Sequence, residues 1–329
     1  MQDTPAPQAQ HTTDSISPVT PDPHWERQTL ERLAMANLAE QQAARRWKNG
    51  FRLAWLGLAV VVAGLLFSRN SPSGDTSQPH TALVAIKGEI GSEGEASAEN
   101  VMAAMRSALE DSGSKGLVIL INSPGGSPVQ AGLINDEIHR LKKLHNKPVL
   151  AVVEESCASA AYYIAAAADQ IYVDKASIVG SIGVLMDGFG FTGLMDKLGV
   201  ERRLMTAGEN KGFMDPFSPQ TEAQRKHAQA MLNQIHQQFI AVVKQGRGER
   251  LKETPDMFSG LFWTGQQAVD MGLADGLGSL DSVARDVVKA EDVIDYSRRE
   301  NVAERLAKRF GAAMGEGAVQ AMRRVPGLR

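Results

Sequence analysis

Pro148-Val149-Leu150-Ala151-Val152-Val153 is followed, after two glutamates, by Ser156-Cys157-Ala158-Ser159-Ala160-Ala161-Tyr162-Tyr163. The first run is short and rich in β-branched residues, which predicts a buried strand. From Ala158 to Ala168 the residues are apolar and mostly alanine, which predicts a buried helix. A small hydroxyl residue in the first turn of such a helix has two readings. Ser156 or Ser159 caps the helix by accepting a hydrogen bond from an orphan amide. Alternatively, one of them is a nucleophile whose developing negative charge sits at the positive end of the helix. The residues on either side decide between the two.

Upstream, the pattern predicts a strand at Ala82–Ile86, a helix at Ala96–Leu109 and a strand at Gly116–Ile121. That strand runs into Asn122-Ser123-Pro124-Gly125-Gly126-Ser127, and a helix follows at Val129–Leu144. Downstream come a strand at Gln170–Val173, the stretch Ser177–Leu185, a short helix at Phe191–Leu198 and a strand at Arg203–Thr206. A long helix is predicted at Thr221–Lys244, with Leu232, Ile235, Phe239, Val242 and Val243 along one face, and a capped helix at Thr264–Met271. Strands alternating with helices signal an α/β domain with a largely parallel sheet. Hydrophobic residues make up 43% and aromatics 5% of the chain, so the core relies on Ala, Val, Leu and Ile.

The N-terminal side reads differently. Residues 1–50 form an N-terminal segment, partly disordered, with a helical pattern from Glu26 to Trp47 that ends in Arg45, Arg46 and Lys48. Residues 51–68 contain the uncharged run Leu53–Phe67, near the lower limit of the ~20 residues that span a bilayer. A cleaved leader is the rival reading, but about 50 residues precede the run and no small-x-small cleavage site follows it at the expected place. Arg45, Arg46, Lys48 and Arg52 lie before the run and Arg69 alone closely after it, so the N-terminus is expected in the cytoplasm and everything beyond the anchor outside it. Residues 69–80 are a polar linker, 81–290 the folded domain and 291–329 a tail. In the tail, Val302, Leu306 and Phe310 alternate with basic residues, as in a membrane-surface, oligomer-contacting or merely solvated helix. The net charge of −3, with no long basic run, argues against nucleic acid as a partner.

Hydrolysis through a serine needs a base and an oxyanion site. The seven histidines are badly placed for the first task. His11 and His24 precede the apolar run, His80 is in the linker, and His139, His145, His227 and His236 fall on charged helix faces. No G-x-S-x-G elbow and no H-E-x-x-H is present, so neither an α/β-hydrolase nor a metal centre is expected. The only cysteine, Cys157, reads as a small apolar filler. A neutral lysine is the other activator of serine, and burial without a counter-ion favours the neutral amine. Lys211, between Gly208-Glu209-Asn210 and Gly212-Phe213-Met214, has an apolar enough setting for this. From the sequence alone a solvated loop lysine is the commoner reading of such a position, and Glu209 two residues away would favour the charged form. The Ser123–Ser127 turn offers glycine amides to an oxyanion, or is simply a strand-to-helix turn.

Together these pieces resemble the signal peptide peptidase A family, membrane-anchored serine peptidases with a Ser–Lys dyad. The resemblance runs from about Thr81 to Val288. It is carried by Asn122–Gly126, by Cys157-Ala158-Ser159 with Tyr162-Tyr163, by Gly180-Ser181-Ile182-Gly183-Val184, by Ala207-Gly208-Glu209-Asn210-Lys211 and by Phe262-Trp263-Thr264-Gly265-Gln266-Gln267-Ala268. It implies Ser159 as nucleophile, Lys211 as general base, Gly126 as oxyanion-hole amide and Ser181 as the hydroxyl that orients the lysine. Gly125, Gly180, Ile182, Gly183 and Val184 would bind substrate. It also implies a crotonase/Clp-protease type of fold with repeated strand–strand–helix units, a homo-oligomer at the outer face of the bacterial inner membrane, no cofactor, and cleaved signal peptides or other unfolded apolar peptides as substrates. Ala160-Ala161 stands where many members have Gly-Gly, and the chain is of the short, single-module form. Two other functions are weighed: acyl-CoA chemistry on the same fold, against which the apolar run counts, and a non-catalytic membrane scaffold, against which the intact Ser159, Lys211, Gly126 and Ser181 count.

Overall fold

The computed structural model describes residues 25–68 and 78–298. It divides into two units, of which the first holds a single long helix, α1 (Trp25–Ser68), with no break between the expected cytoplasmic segment and the expected anchor. Among the described residues no helix is long and apolar enough to cross a membrane. The side chains of 62–68, the second half of the expected anchor, lie outside the described residues, as do residues 1–24, most of the 69–80 linker and the tail beyond Arg298.

The second unit is an α/β domain. Its elements are β1 (His80–Lys87), α2 (Ala98–Glu110), β2 (Ser114–Ser123), α3 (Pro128–His145), β3 (Val149–Ala158), α4 (Ala160–Ala165), β4 (Gln170–Val173), β5 (Ile178–Gly180), α5 (Thr192–Leu198), α6 (Glu222–Arg247), β6 (Phe262–Thr264), α7 (Gly265–Asp270), β7 (Gly276–Leu277), α8 (Leu280–Val283) and β8 (Val293–Asp295). The sheet runs in the order β6-β5-β3-β2-β1-β8, with β4 also paired to β3 and β7 to β4. Every pairing is parallel except that of β5 with β6.

A parallel sheet must be covered on both faces, because its crossovers lie there. The alternating residues Leu117, Ile119 and Ile121 of β2 and Val149, Ala151 and Val153 of β3 point into the larger core, against α2, α3 and α4. Val118, Leu120, Leu150 and Val152 point the other way, into a smaller core closed by Val283 and Leu280 of α8. Local signals place the helix starts. Ser97 and Ser127 accept from Asn100 and Gln130 amides, and Thr221 and Thr264 open full capping boxes with Gln224 and Gln267.

Several expectations shift. β3 continues past Val153 to Ala158, and the alanine-rich helix begins only at Ala160, because Cys157 and Ala158 pair with Val179 and Gly180 of β5. Arg203–Thr206 forms no strand; the segment is exposed, with no strand available to pair with it. The sheet takes in residues on both sides of the expected 81–290 bounds. His80 opens β1, and β8, in the expected tail, pairs with Thr81, Ala82 and Leu83. His80 is therefore no linker residue. It is buried, and its Nε2 meets the Tyr296 hydroxyl at 2.9 Å, which in turn donates to Asp111 at 2.8 Å.

α6 is the longest element of the domain and anchors at its C-terminal end. Phe239, Val243 and Arg247 are buried, and Phe239 stacks obliquely on Tyr163, with ring centroids 5.2 Å apart. A Cβ on Gly246 would come within 2.0 Å of the Ala166 carbonyl oxygen, so the helix backbones touch there. Arg247, although charged and buried, donates from Nε to the Gly272 carbonyl and from Nη1 to the Asp275 carboxylate, each at 2.8 Å, while its Nη2 has no partner among the described residues. Gly246→Ala should therefore lower stability by about 1–3 kcal/mol, the usual cost of overpacking. Gly132→Ala, in α3 with open space around it, should raise stability by up to ~1 kcal/mol through helix propensity. Urea unfolding of both variants checks the pair, and equal effects would contradict the close α6–α4 approach.

Candidate active site

Three chain segments meet at the end of β3. The first is Ser159, the single residue between β3 and α4. Its φ of 53° and ψ of −123° lie where a non-glycine residue is strained. Strain of this kind persists only where the surroundings over-determine the backbone, and here they do. The Ser159 N–H donates to the Gly180 carbonyl at 2.9 Å, and the Ser159 carbonyl accepts from Tyr163 N–H at 3.1 Å. The Ser159 side chain makes no capping hydrogen bond, although the residue occupies the N-cap position. Ser156 does not cap either: it lies in β3, and its hydroxyl donates to the Ser123 carbonyl at 3.3 Å. The capping reading of both serines is thus excluded. Ser159 stands on a sharp strand-to-helix turn with its hydroxyl uncommitted among the described residues, the geometry that presents a nucleophile.

The second segment is the Ser123–Ser127 turn. Gly125 has φ +110° and Gly126 φ +142°. A Cβ on Gly125 would lie 2.7 Å from the Ser159 Cβ, and one on Gly126 would lie 2.1 Å from the Ile90 carbonyl oxygen. Neither position admits a side chain. Ile90 holds the turn from outside, its N–H donating to the Gly125 carbonyl and its carbonyl accepting from Ser127 N–H, both at 2.8 Å. Among the described residues the Gly126 N–H donates to nothing, and Gly126 is exposed. An unengaged, exposed amide in the turn packed against an uncommitted serine is what an oxyanion hole requires.

The third segment is Gly180–Val184, which leaves β5 beside Ser159. Ser181 has φ +50°, is half-buried, and donates its N–H to the Leu261 carbonyl at 2.8 Å. Gly180 and Gly183 leave room for Trp263 and Gly260, which a Cβ would meet at 2.9 and 3.0 Å. Ile182 differs from the sequence expectation. Its side chain is in the core and its carbonyl is taken by His236, so only its N–H remains to face a substrate. Val184 is half-buried and Leu185 is exposed.

Lys211 is not brought to Ser159 by any contact among the described residues. Its ammonium makes no hydrogen bond or ion pair there, and the residue is exposed. Glu209 does not pair with it either; the Glu209 carboxylate accepts from the Asn210 side chain at 3.3 Å. The lysine sits on the 186–220 segment, which is held by its own contacts: Phe191 N–H to the Pro216 carbonyl, Phe191 stacked on Phe217, and Arg202 paired with Asp215. Cys157 is fully buried, and burial pushes its thiol far above the ordinary range, so it is no rival nucleophile. Among the described residues no cluster of His, Cys, Asp and Glu is arranged to hold a metal ion.

His236 escaped the sequence reading, which put it on a charged face. It belongs to the stripe Leu232, His236, Phe239, Val243, Gly246, spaced i, i+4, i+7, i+11, i+14, and that period was the signal available.

Comparison with known proteins follows the same residues. Residues 141–293, which contain Ser159, Ser181 and Lys211, match Peptidase family S49. Over that stretch the chain is similar to this family. It is 33% identical over 197 residues to a putative protease of Methanocaldococcus jannaschii, covering 58% of this chain and 63% of that protein. It is 31% identical over 203 residues to a putative signal peptide peptidase SppA of Enterococcus faecium, covering 60% and 59%. A 181-residue match at 47% identity, 55% of this chain, falls on 25% of a Brucella abortus protein named as a Na(+)/H(+) antiporter NhaA. The chain thus spans from a quarter to less than two thirds of the length of these relatives.

The Gly125–Ser159 contact has a direct consequence. Gly125→Ala should abolish labelling of Ser159 by a fluorophosphonate while leaving the far-ultraviolet circular dichroism of the domain unchanged. Labelling at the wild-type rate would mean that the turn does not abut the serine.

Proposed function

We propose that this chain is an S49 peptidase, a membrane-anchored serine endopeptidase that cuts unfolded, apolar peptides such as cleaved signal peptides. The observation that carries the reading is the strained Ser159 elbow, its hydroxyl free, beside the unengaged Gly126 amide. Ser159 Oγ attacks the scissile carbonyl while the neutral Lys211 amine takes its proton. The Gly126 N–H stabilises the resulting oxyanion, and Lys211 passes the proton to the leaving amine as the acyl-enzyme forms. Water, deprotonated by the same amine, then releases the acyl group and restores the serine. Ser181 orients the lysine, and the backbone of Gly125 and of Gly180–Val184 pairs with the extended substrate. The protease names of the relatives favour this over acyl-CoA chemistry or a scaffold. We take the parallel α/β sheet to be of the crotonase/Clp-protease type.

Lys211 is exposed in the single chain, whereas a base must be neutral and shielded from water. On the same segment Phe189 and Met205, and next to it Leu185, are 80%, 94% and 81% exposed, apolar side chains of the kind an interaction surface covers. A homo-oligomer in which a second copy covers this segment would bury both. Ser159→Ala and Lys211→Ala should each remove nearly all cleavage of a leucine-rich peptide, the double variant being little worse than either. Activity should rise with pH, because only the deprotonated amine accepts a proton. A Leu→Asp version of the peptide and a stable folded protein should be cut far more slowly, since a buried carboxylate has no partner and a folded backbone is not extended. A Lys211→Ala enzyme with a tenth of wild-type activity, or equal rates on all three substrates, would overturn the reading.

The apolar run 53–67, with Arg45, Arg46, Lys48 and Arg52 before it, supports a bacterial inner-membrane anchor with its N-terminus in the cytoplasm and the α/β domain in the periplasm. Alkaline phosphatase fused after Arg329 should be active in cells and a fluorescent protein that matures only in the cytoplasm should be dark. The reverse pattern would overturn that topology.

A further inference from the structure

α6 touches the Lys211 segment, the Ser181 turn and the helix that follows Ser159. Near its start the His227 ring meets Phe213, two residues after Lys211, edge-on at 5.8 Å. Further along, His236 Nε2 lies 3.0 Å from the Ile182 carbonyl oxygen, next to Ser181. Near its end, Phe239 and Gly246 pack on Tyr163 and Ala166, at the helix that starts from Ser159. At 1.5 Å per residue, the His227 and Phe239 contacts lie about 18 Å apart along the axis, and those of His236 and Phe239 only about 4.5 Å apart. The helix thus fixes the Ser181 turn relative to the nucleophile with a short, stiff lever.

The turn needs such a fixture. Ser181 sits at φ +50°, and the Gly183 N–H folds back onto the Ser181 carbonyl at 2.9 Å, so the chain reverses within three residues. Its Ser181 end is tied to the Leu261 carbonyl, and at Gly183 an added Cβ would meet the Gly260 backbone, its Cα at 3.0 Å and its N at 3.6 Å. The Ile182 carbonyl, at the middle, would be an unsatisfied buried acceptor without the imidazole. Because the partner is a carbonyl, Nε2 must carry the proton and donate. We infer that His236 is a positioning residue: by donating to the Ile182 carbonyl it sets the Ser181–Gly183 turn, and through it the direction in which the Ser181 hydroxyl meets the catalytic base. This inference rests on the Ser–Lys reading for its consequence, but the tie itself does not.

The test separates the two. His236→Phe keeps the ring and removes the donor, whereas His236→Gln retains a side-chain N–H of similar reach. In a Ser159→Ala background of the full chain, amide hydrogen exchange across 180–185 should be about tenfold faster in His236→Phe than in His236→Gln, as expected for the loss of one buried hydrogen bond. In the otherwise wild-type chain, His236→Phe should lower kcat for the leucine-rich peptide by about tenfold with KM within about twofold, and His236→Gln should recover most of it. The midpoints of thermal unfolding of the two variants should agree within about 4 °C. Unchanged exchange in His236→Phe would overturn the tie. Faster exchange with unchanged kcat, or equal losses of kcat in both variants alongside a lower unfolding midpoint, would overturn the positioning role. If Ser159→Ala itself keeps its activity, the Ser–Lys reading fails while the exchange result still stands.

Discussion

β3 lies inside the sheet with β2 on one side and β4, then β5, on the other, and apart from the irregularity at Glu154 and Glu155 its backbone is paired up to its last residue, where Ser156, Cys157 and Ala158 lie against β5. A strand held this way cannot relax as it ends, yet it hands over to α4 in a single residue, Ser159. That residue carries the whole change of direction. Its amide is held by Gly180 and its carbonyl by Tyr163, so a φ of 53° is imposed on a side chain that would avoid it. Strain held by the sheet on one side and the helix on the other is what leaves the hydroxyl free of local partners.

The other parts follow from keeping space around this joint. The Ser123–Ser127 turn approaches until only a glycine fits at 125, and Ile90 pins it from behind so that a second glycine is needed at 126. The Gly126 amide is exposed as a by-product of that clamp. On the far side, β5 and β6 close against one another with Trp263 over Gly180, which forces the chain to turn at Ser181. Glycine at these places is a packing requirement, and the site is the surface those requirements leave open.

α6 stands apart in character. Its last three turns are core, while its first half is mostly exposed and carries the Lys211 segment at its start. The exposed apolar residues of that segment and the exposed lysine share one cause: among the described residues nothing else lies over them.

Local pattern was enough for much of this. The strands and helices from Ala82 to Val173 are legible because period-2 and period-3.6 burial is written in side-chain order, and Ser97, Ser127, Thr221 and Thr264 mark helix starts through bonds to amides three residues away. Family motifs drew attention to Ser159, Gly126, Ser181 and Lys211. Sequence order alone could not show that β3 runs on to Ala158, since that depends on β5 arriving alongside. Nor could it exclude capping by Ser159, because that turns on a backbone conformation held by Gly180, 21 residues later. β8 and His80 were misassigned for the same reason: three strand residues and one histidine carry no periodicity, and only their partners, β1 and Tyr296, give them a place. The sequence by itself determined which residues are apolar, where helices begin and where glycine is available. The tertiary structure decided which backbone groups are left unpaired, because pairing is a relation between segments distant in the chain.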